Sequence, residues 1–127
     1  MHEKLSTVLV GANNIELAIC LSGEEDPLPI CVTYARYNSC HMPEKKIELR
    51  KYDYIFLDAG LCETRIAHWI NKLNEEKLKE NLVATDIIFL NCPNNMKLPK
   101  DIVLKILFFS KHESTLEKIK TWLKKHL

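Results

Sequence analysis

Glycine is scarce in this chain: three residues out of 127, at positions 11, 23 and 60. A loop that wraps phosphate in backbone N–H groups needs several glycines close together, so a glycine-rich nucleotide or dinucleotide loop is excluded. Charge of one sign is missing as well. Lys and Arg number 18 against 17 Asp and Glu, for a net charge of +1, and no global field draws the protein to nucleic acid or to an anionic membrane surface. No apolar run approaches the roughly 20 residues that cross a bilayer, and Met1-His2-Glu3-Lys4 is not a signal peptide. The five cysteines (Cys20, Cys31, Cys40, Cys62, Cys92) are odd in number and form no Cys-x-x-Cys pair. That scatter predicts reduced, mostly buried thiols in a cytoplasmic protein. Repeats, linkers and low-complexity stretches are absent.

What is present is an alternation of strand-like and helix-like segments in a chain long enough for one domain, residues 1–127. Leu5 to Gly11 is β-branched and apolar, a central first strand. Asn14 to Leu21 follows as a short helix that Asn13 or Asn14 caps. Pro29 to Ala35 is the second strand. Glu44 to Lys51 holds about two helical turns. Tyr54 to Leu57 is the third strand and stops on Asp58. Ile66, Trp69, Ile70 and Leu73 recur at helical spacing, so Glu63 to Glu80 is the longest helix. Asp86 to Asn91 is the fourth strand. The prolines at 93 and 99 leave room for at most a short turn before the fifth strand, Val103 to Phe109. Ser110 with Glu113, or Ser114 with Glu117, has capping-box spacing and opens a final helix with an apolar stripe at Leu116, Ile119, Trp122 and Leu123. The lysines at 118, 120, 124 and 125 read as a solvated helix end, where cations suit the helix dipole. Phe56, Phe89, Phe108 and Phe109 fall in strands and both tryptophans on helix stripes, so the aromatics read as core rather than as a base-stacking platform.

Five strands interleaved with crossovers predict an α/β fold: a three-layer α/β/α sandwich around a five-stranded parallel doubly wound sheet, order 2-1-3-4-5, flavodoxin-like. In that order the switch point lies between strands one and three. Asn13 and Asp58 then meet at the carboxyl edge, with Asn91 beside them.

Those edge residues carry a resemblance. Val8 to Glu16 lies over the opening strand of the receiver domains of two-component response regulators, and Tyr52 to Asp58 (YDYIFLD) matches their third strand. The likeness covers essentially the whole chain. It implies that Asp58 stands at the phospho-acceptor position, and that Ala12 and Asn13 replace the acidic pair that holds magnesium. It further implies that Asn91 replaces a hydroxyl residue that senses the phosphoryl group, and that Lys111 lies near the phosphate-pairing lysine, with His112 where the family has proline. Phosphoryl transfer to a carboxylate needs a cation with hard anionic ligands. Two of the three usual carboxylates are missing, and Glu16, one helical turn on, reads as a solvated helix residue. The chain is therefore similar to an atypical, or pseudo-, receiver.

The expected function is that of a non-catalytic signalling or assembly module, inefficiently phosphorylated or not at all. No cofactor is expected, with Asp58 the position a Mg²⁺ ion would take if one bound. The expected partner is another protein, with a homodimer an option and neither nucleic acid nor membrane involved. In the resembled family the face made by the fourth helix, fifth strand and fifth helix docks partners. Here the proline-rich stretch shortens that helix, and Met96 and Leu98 are expected to be exposed for binding. Read from its own residues, Asp58 is a strand-end carboxylate capping the next turn, a retained phospho-acceptor, or a group with another role. Lys111 is equally a helix-start lysine. Two alternatives stay open: a degenerate ParA/MinD-type P-loop ATPase, and a small Rossmann-like nucleotide-binding protein. Gly11-Ala12-Asn13-Asn14 follows a first strand as a P-loop would, yet it has one glycine and no lysine lies between Leu5 and Glu44. A third class uses Cys40, His41, Cys62 and Cys92 at the same edge, in a spacing that fits no standard zinc pattern.

Overall fold

The computed structural model describes residues 5–12, 15–23, 27–36, 51–58, 66–79 and 84–127. Along the chain come β1 (Ser6–Ala12), α1 (Glu16–Leu21), β2 (Ile30–Arg36), β3 (Tyr54–Asp58), α2 (Ile66–Lys79), β4 (Asp86–Cys92), β5 (Lys105–Phe108) and α3 (Thr115–His126). The five strands form one sheet in the order β2-β1-β3-β4-β5, and every pairing in it is parallel. This is the doubly wound α/β, flavodoxin-like architecture that the strand count and the crossovers predict.

Period-two alternation sorts the strand residues onto two faces. Leu9, Ile55, Leu57, Ile87 and Phe89 point to one face, where Ile70 and Leu73 of α2 cover them. Val8, Val10, Ala12, Phe56, Ile88 and Leu90 point to the other, under Leu21 of α1 and Ile119 and Leu123 of α3. The central strands are apolar on both faces because both are covered. Burying each such Leu, Ile or Phe contributes about 1.5–3 kcal/mol before the entropy of ordering is subtracted.

Side-chain hydrogen bonds lock the amino ends of the strands. The Thr7 amide donates to Asp53 Oδ2 at 2.9 Å, while the Thr7 hydroxyl donates to the Lys51 carbonyl, also at 2.9 Å. Those bonds hold the β1–β3 register, Val8 opposite Tyr54 and Gly11 opposite Leu57.

The connection from β4 to β5 has no helix. Its backbone is irregular, with turns at 94–95 and 100–101, in keeping with the prolines, and it still covers the α2 face. Met96, Leu98 and Ile102 pack against the core there. This corrects the expectation that Met96 and Leu98 are exposed: with no helix to cover β4 and β5, their side chains do the covering. Asn74, buried on α2, pins the segment by donating to the Asp101 carbonyl (3.1 Å) and accepting from the Val103 amide (2.7 Å).

Helix α3 begins at Ser114, whose hydroxyl accepts from the Glu117 amide while the Glu117 side chain accepts from the Ser114 amide. Of the two capping boxes the sequence offers, the second is used. Two further expectations are corrected. Lys118 is not part of a solvated helix end but 7 % exposed, because it lies on the α3 stripe beside Ile119. Phe108 and Phe109 are not core but 40 % and 54 % exposed, because β5 is an edge strand only four residues long. The two-turn helix expected over residues 44–51 falls, but for Lys51, outside the described residues, as do Asn13, Asn14, Cys40, His41 and Cys62. Among the described residues no helix is long and apolar enough to cross a membrane.

Candidate functional site

The carboxyl edge of a doubly wound sheet gathers the side chains at which its strands end. Here β1 ends at Ala12, β3 at Asp58 and β4 just past Asn91. Strict alternation from Tyr54 and Phe56 sends Asp58 to the α3 face. The same rule sends Asn91, two residues after Phe89, to the α2 face. The structure breaks the rule at that residue. Asn91 adopts φ 59°, and the β4–β5 register shifts between Phe89 and Cys92. Cys92 consequently packs with Ile87 and Phe89 on the α2 face, and the Asn91 side chain reaches across to α3.

There it joins three other side chains. Asn91 Nδ2 donates to Asp58 Oδ1 at 3.2 Å and to Thr115 Oγ1 at 2.9 Å. Asn91 Oδ1 accepts from Lys118 Nζ at 2.9 Å, and the same ammonium donates to the Phe108 carbonyl at 3.2 Å. The amide thus bridges a carboxylate and an ammonium, its oxygen toward the cation and its nitrogen toward the anion. The Lys118 ammonium also lies 5.7 Å from the centroid of the Phe109 ring, within cation–π range.

Of the positions singled out in the sequence, Asp58 and Asn91 are brought into direct contact. Ala12 is buried at the end of β1 and offers only backbone polarity, its carbonyl accepting from the Tyr34 hydroxyl at 2.9 Å. Asn13 lies outside the described residues. Lys111 is exposed in the bend before α3. The lysine bonded into the edge network is Lys118, seven positions further on, together with Thr115. Sequence reasoning missed both. The available signal was the helical stripe itself, since Lys118 directly precedes Ile119 and shares a helix turn with Thr115.

Cys92, fully buried behind the network, has its thiol pushed up to about 11 from an ordinary value near 9, first by burial and then by the Asp58 carboxylate. At neutral pH it is a protonated packing group, not a nucleophile. Among the described residues no group of three or more His, Cys, Asp or Glu side chains is placed to hold a metal ion. Ala12 contributes no side-chain oxygen that could join Asp58 in holding a Mg²⁺.

No family model, curated protein or solved structure matches the chain.

Proposed function

We propose that this domain is a receiver-like signalling or assembly module that works by protein–protein contact and does not turn over substrate. The observation that carries the reading is the commitment of the Asn91 amide to both Asp58 and Lys118. A phospho-acceptor carboxylate needs neighbouring cations to offset charge on the incoming phosphoryl group. The buried ammonium at this edge donates instead to an amide and to a backbone carbonyl, and one oxygen of the carboxylate accepts from that same amide. The groups that would do the chemistry are used to tie β3, β4 and α3 together. Buried Ala12 adds no ligand for a metal.

This reading makes the partner another protein. The free thiols of Cys20, Cys31 and Cys92 suit a reducing, cytoplasmic setting. The test is incubation of the full chain with acetyl phosphate and Mg²⁺ followed by intact-mass measurement. The expected spectrum is that of unmodified protein. A species heavier by one phosphoryl group, lost in Asp58→Ala, would overturn the proposal.

A further inference from the structure

At the far edge of the sheet the Asp58 network reaches strand β5 through Lys118, which donates to the Phe108 carbonyl. Strand β5 pairs with β4 on one side and has no strand on the other among the described residues. The outward backbone N–H and C=O groups of an edge strand are a ready template for another chain. Alongside runs an open groove of about 480 Å³ between β5 and α3. Leu107, Phe108 and Trp122 give it an apolar wall, and Phe109, just past the strand, is 54 % exposed. The Trp122 indole N–H is buried with no acceptor among the described residues, a cost of about 1–3 kcal/mol. The His126 ring lies stacked on that indole at 4.1 Å.

The charge around the groove is one-sided. Among the described residues Lys125 and the buried, Asn91-bonded Lys118 line it against one carboxylate, Glu113, and Lys105 stands exposed on the strand. The last turn of α3 is basic throughout, with Lys124, Lys125 and His126. A second copy of this chain would bring the same cationic excess to the same place, and an edge lysine is a common guard against self-pairing.

We propose that β5 takes up an extended, acidic segment of a partner protein as a sixth strand, its carboxylates meeting Lys105 and Lys125 and its apolar side chains covering Phe108 and the groove wall. This rests on the interaction-module reading above and names the face and the chemistry of the partner. Main-chain ladder bonds give such a complex its affinity, and alternate side chains give it specificity.

The experiment uses the ¹⁵N-labelled full chain and three synthetic peptides of about ten residues, the upper range of a natural strand. One alternates Val with Glu, the second replaces Glu by Lys, and the third keeps Glu but carries Pro at alternate positions, which removes ladder donors. The acidic peptide is expected to shift the amide signals of residues 105–109 and 118–126 and to bind at least about tenfold more tightly than the other two, a difference of about 1.4 kcal/mol. The double variant Lys105→Glu/Lys125→Glu, at two exposed positions, is expected to lose that preference with an unchanged melting temperature. Equal binding of the acidic and basic peptides, or shifts confined to other elements, overturns the proposal. So does tighter binding of a single-stranded oligonucleotide, or a dimer that Phe108→Asp dissociates. If the double variant still retains a protein partner of the wild type at full affinity, the face is wrong and the interaction-module reading stands. Phosphorylation of Asp58 by acetyl phosphate refutes that reading itself.

Discussion

Asn91 is the residue on which the carboxyl edge depends. Its left-handed φ of 59° is a conformation that asparagine tolerates and most L-residues avoid, at roughly 1–2 kcal/mol. The turn swings its side chain to the face that holds Asp58, Thr115 and Lys118, where the amide makes three hydrogen bonds. Two substitutions separate backbone from side chain. Both Asn91→Gly and Asn91→Ala remove the bridge and leave the buried Lys118 ammonium short of an acceptor, costing about 1–3 kcal/mol. Alanine additionally bears the steric cost of positive φ, so it is expected to be the less stable of the two by about 1 kcal/mol in urea unfolding. If glycine proves equal to or worse than alanine, the left-handed turn is not what orients the amide. The adjacency of Asp58 and Asn91 was foreseeable, because both stand at ends of neighbouring strands, although strict alternation turns their side chains to opposite faces. The contact with Lys118 was not. It needs the register break at Asn91, and no spacing rule reports a one-residue change of face.

Among the described segments, the irregular stretch from 93 to 104 departs furthest from a regular βα repeat. Two prolines rule out a helix, and the segment must still close the α2 face over β4 and β5. It does so with Met96, Leu98 and Ile102 packed on the core and with Asn74 holding the backbone at Asp101 and Val103. Charged substitutions at Met96 and Leu98 are therefore expected to act on folding rather than on binding. Met96→Asp and Leu98→Asp should each cost about 1–3 kcal/mol, the range for placing an unpaired charge against apolar groups. Asn74→Ala, which strands the part-buried Asp101 carbonyl and Val103 amide, should cost a similar amount. Unchanged midpoints in all three would mean that the segment does not seal the core. The described strands and helices were legible in the sequence to within a few residues, the strands because burial on both faces of β1, β3 and β4 writes continuous apolar runs. The destination of the proline stretch was not legible. Met and Leu beside Lys and Asn show no period, so nothing local distinguishes a side chain that covers a core from one that awaits a partner.

On the scale of the whole molecule, the strand order concentrates stability in the middle of the sheet. In β1, β3 and β4, Val8, Leu9, Val10, Ile55, Phe56, Leu57, Ile87, Ile88, Phe89 and Leu90 are all 2 % exposed or less. The two edge strands are different. β5 has two half-buried residues between an exposed lysine and an exposed phenylalanine, and Cys31 and Thr33 of β2 are exposed. Local openings follow buried apolar contact and the solvation of backbone hydrogen bonds, so the edges should open at lower free energy than the centre. Native-state hydrogen exchange followed residue by residue is expected to show the slowest amides at 8–10, 55–57 and 87–90, exchanging only through global unfolding. Amides of β2 and β5 are expected to exchange through sub-global openings, markedly less dependent on denaturant. The edge proposed to accept a sixth strand would then be the part of the sheet least stabilised in the free protein. The acidic peptide should selectively slow exchange at 105–108 and leave the central strands as they were. If β5 is already as protected as β3 without a peptide, its outward groups are not open to a partner, and the strand-addition proposal loses its physical basis.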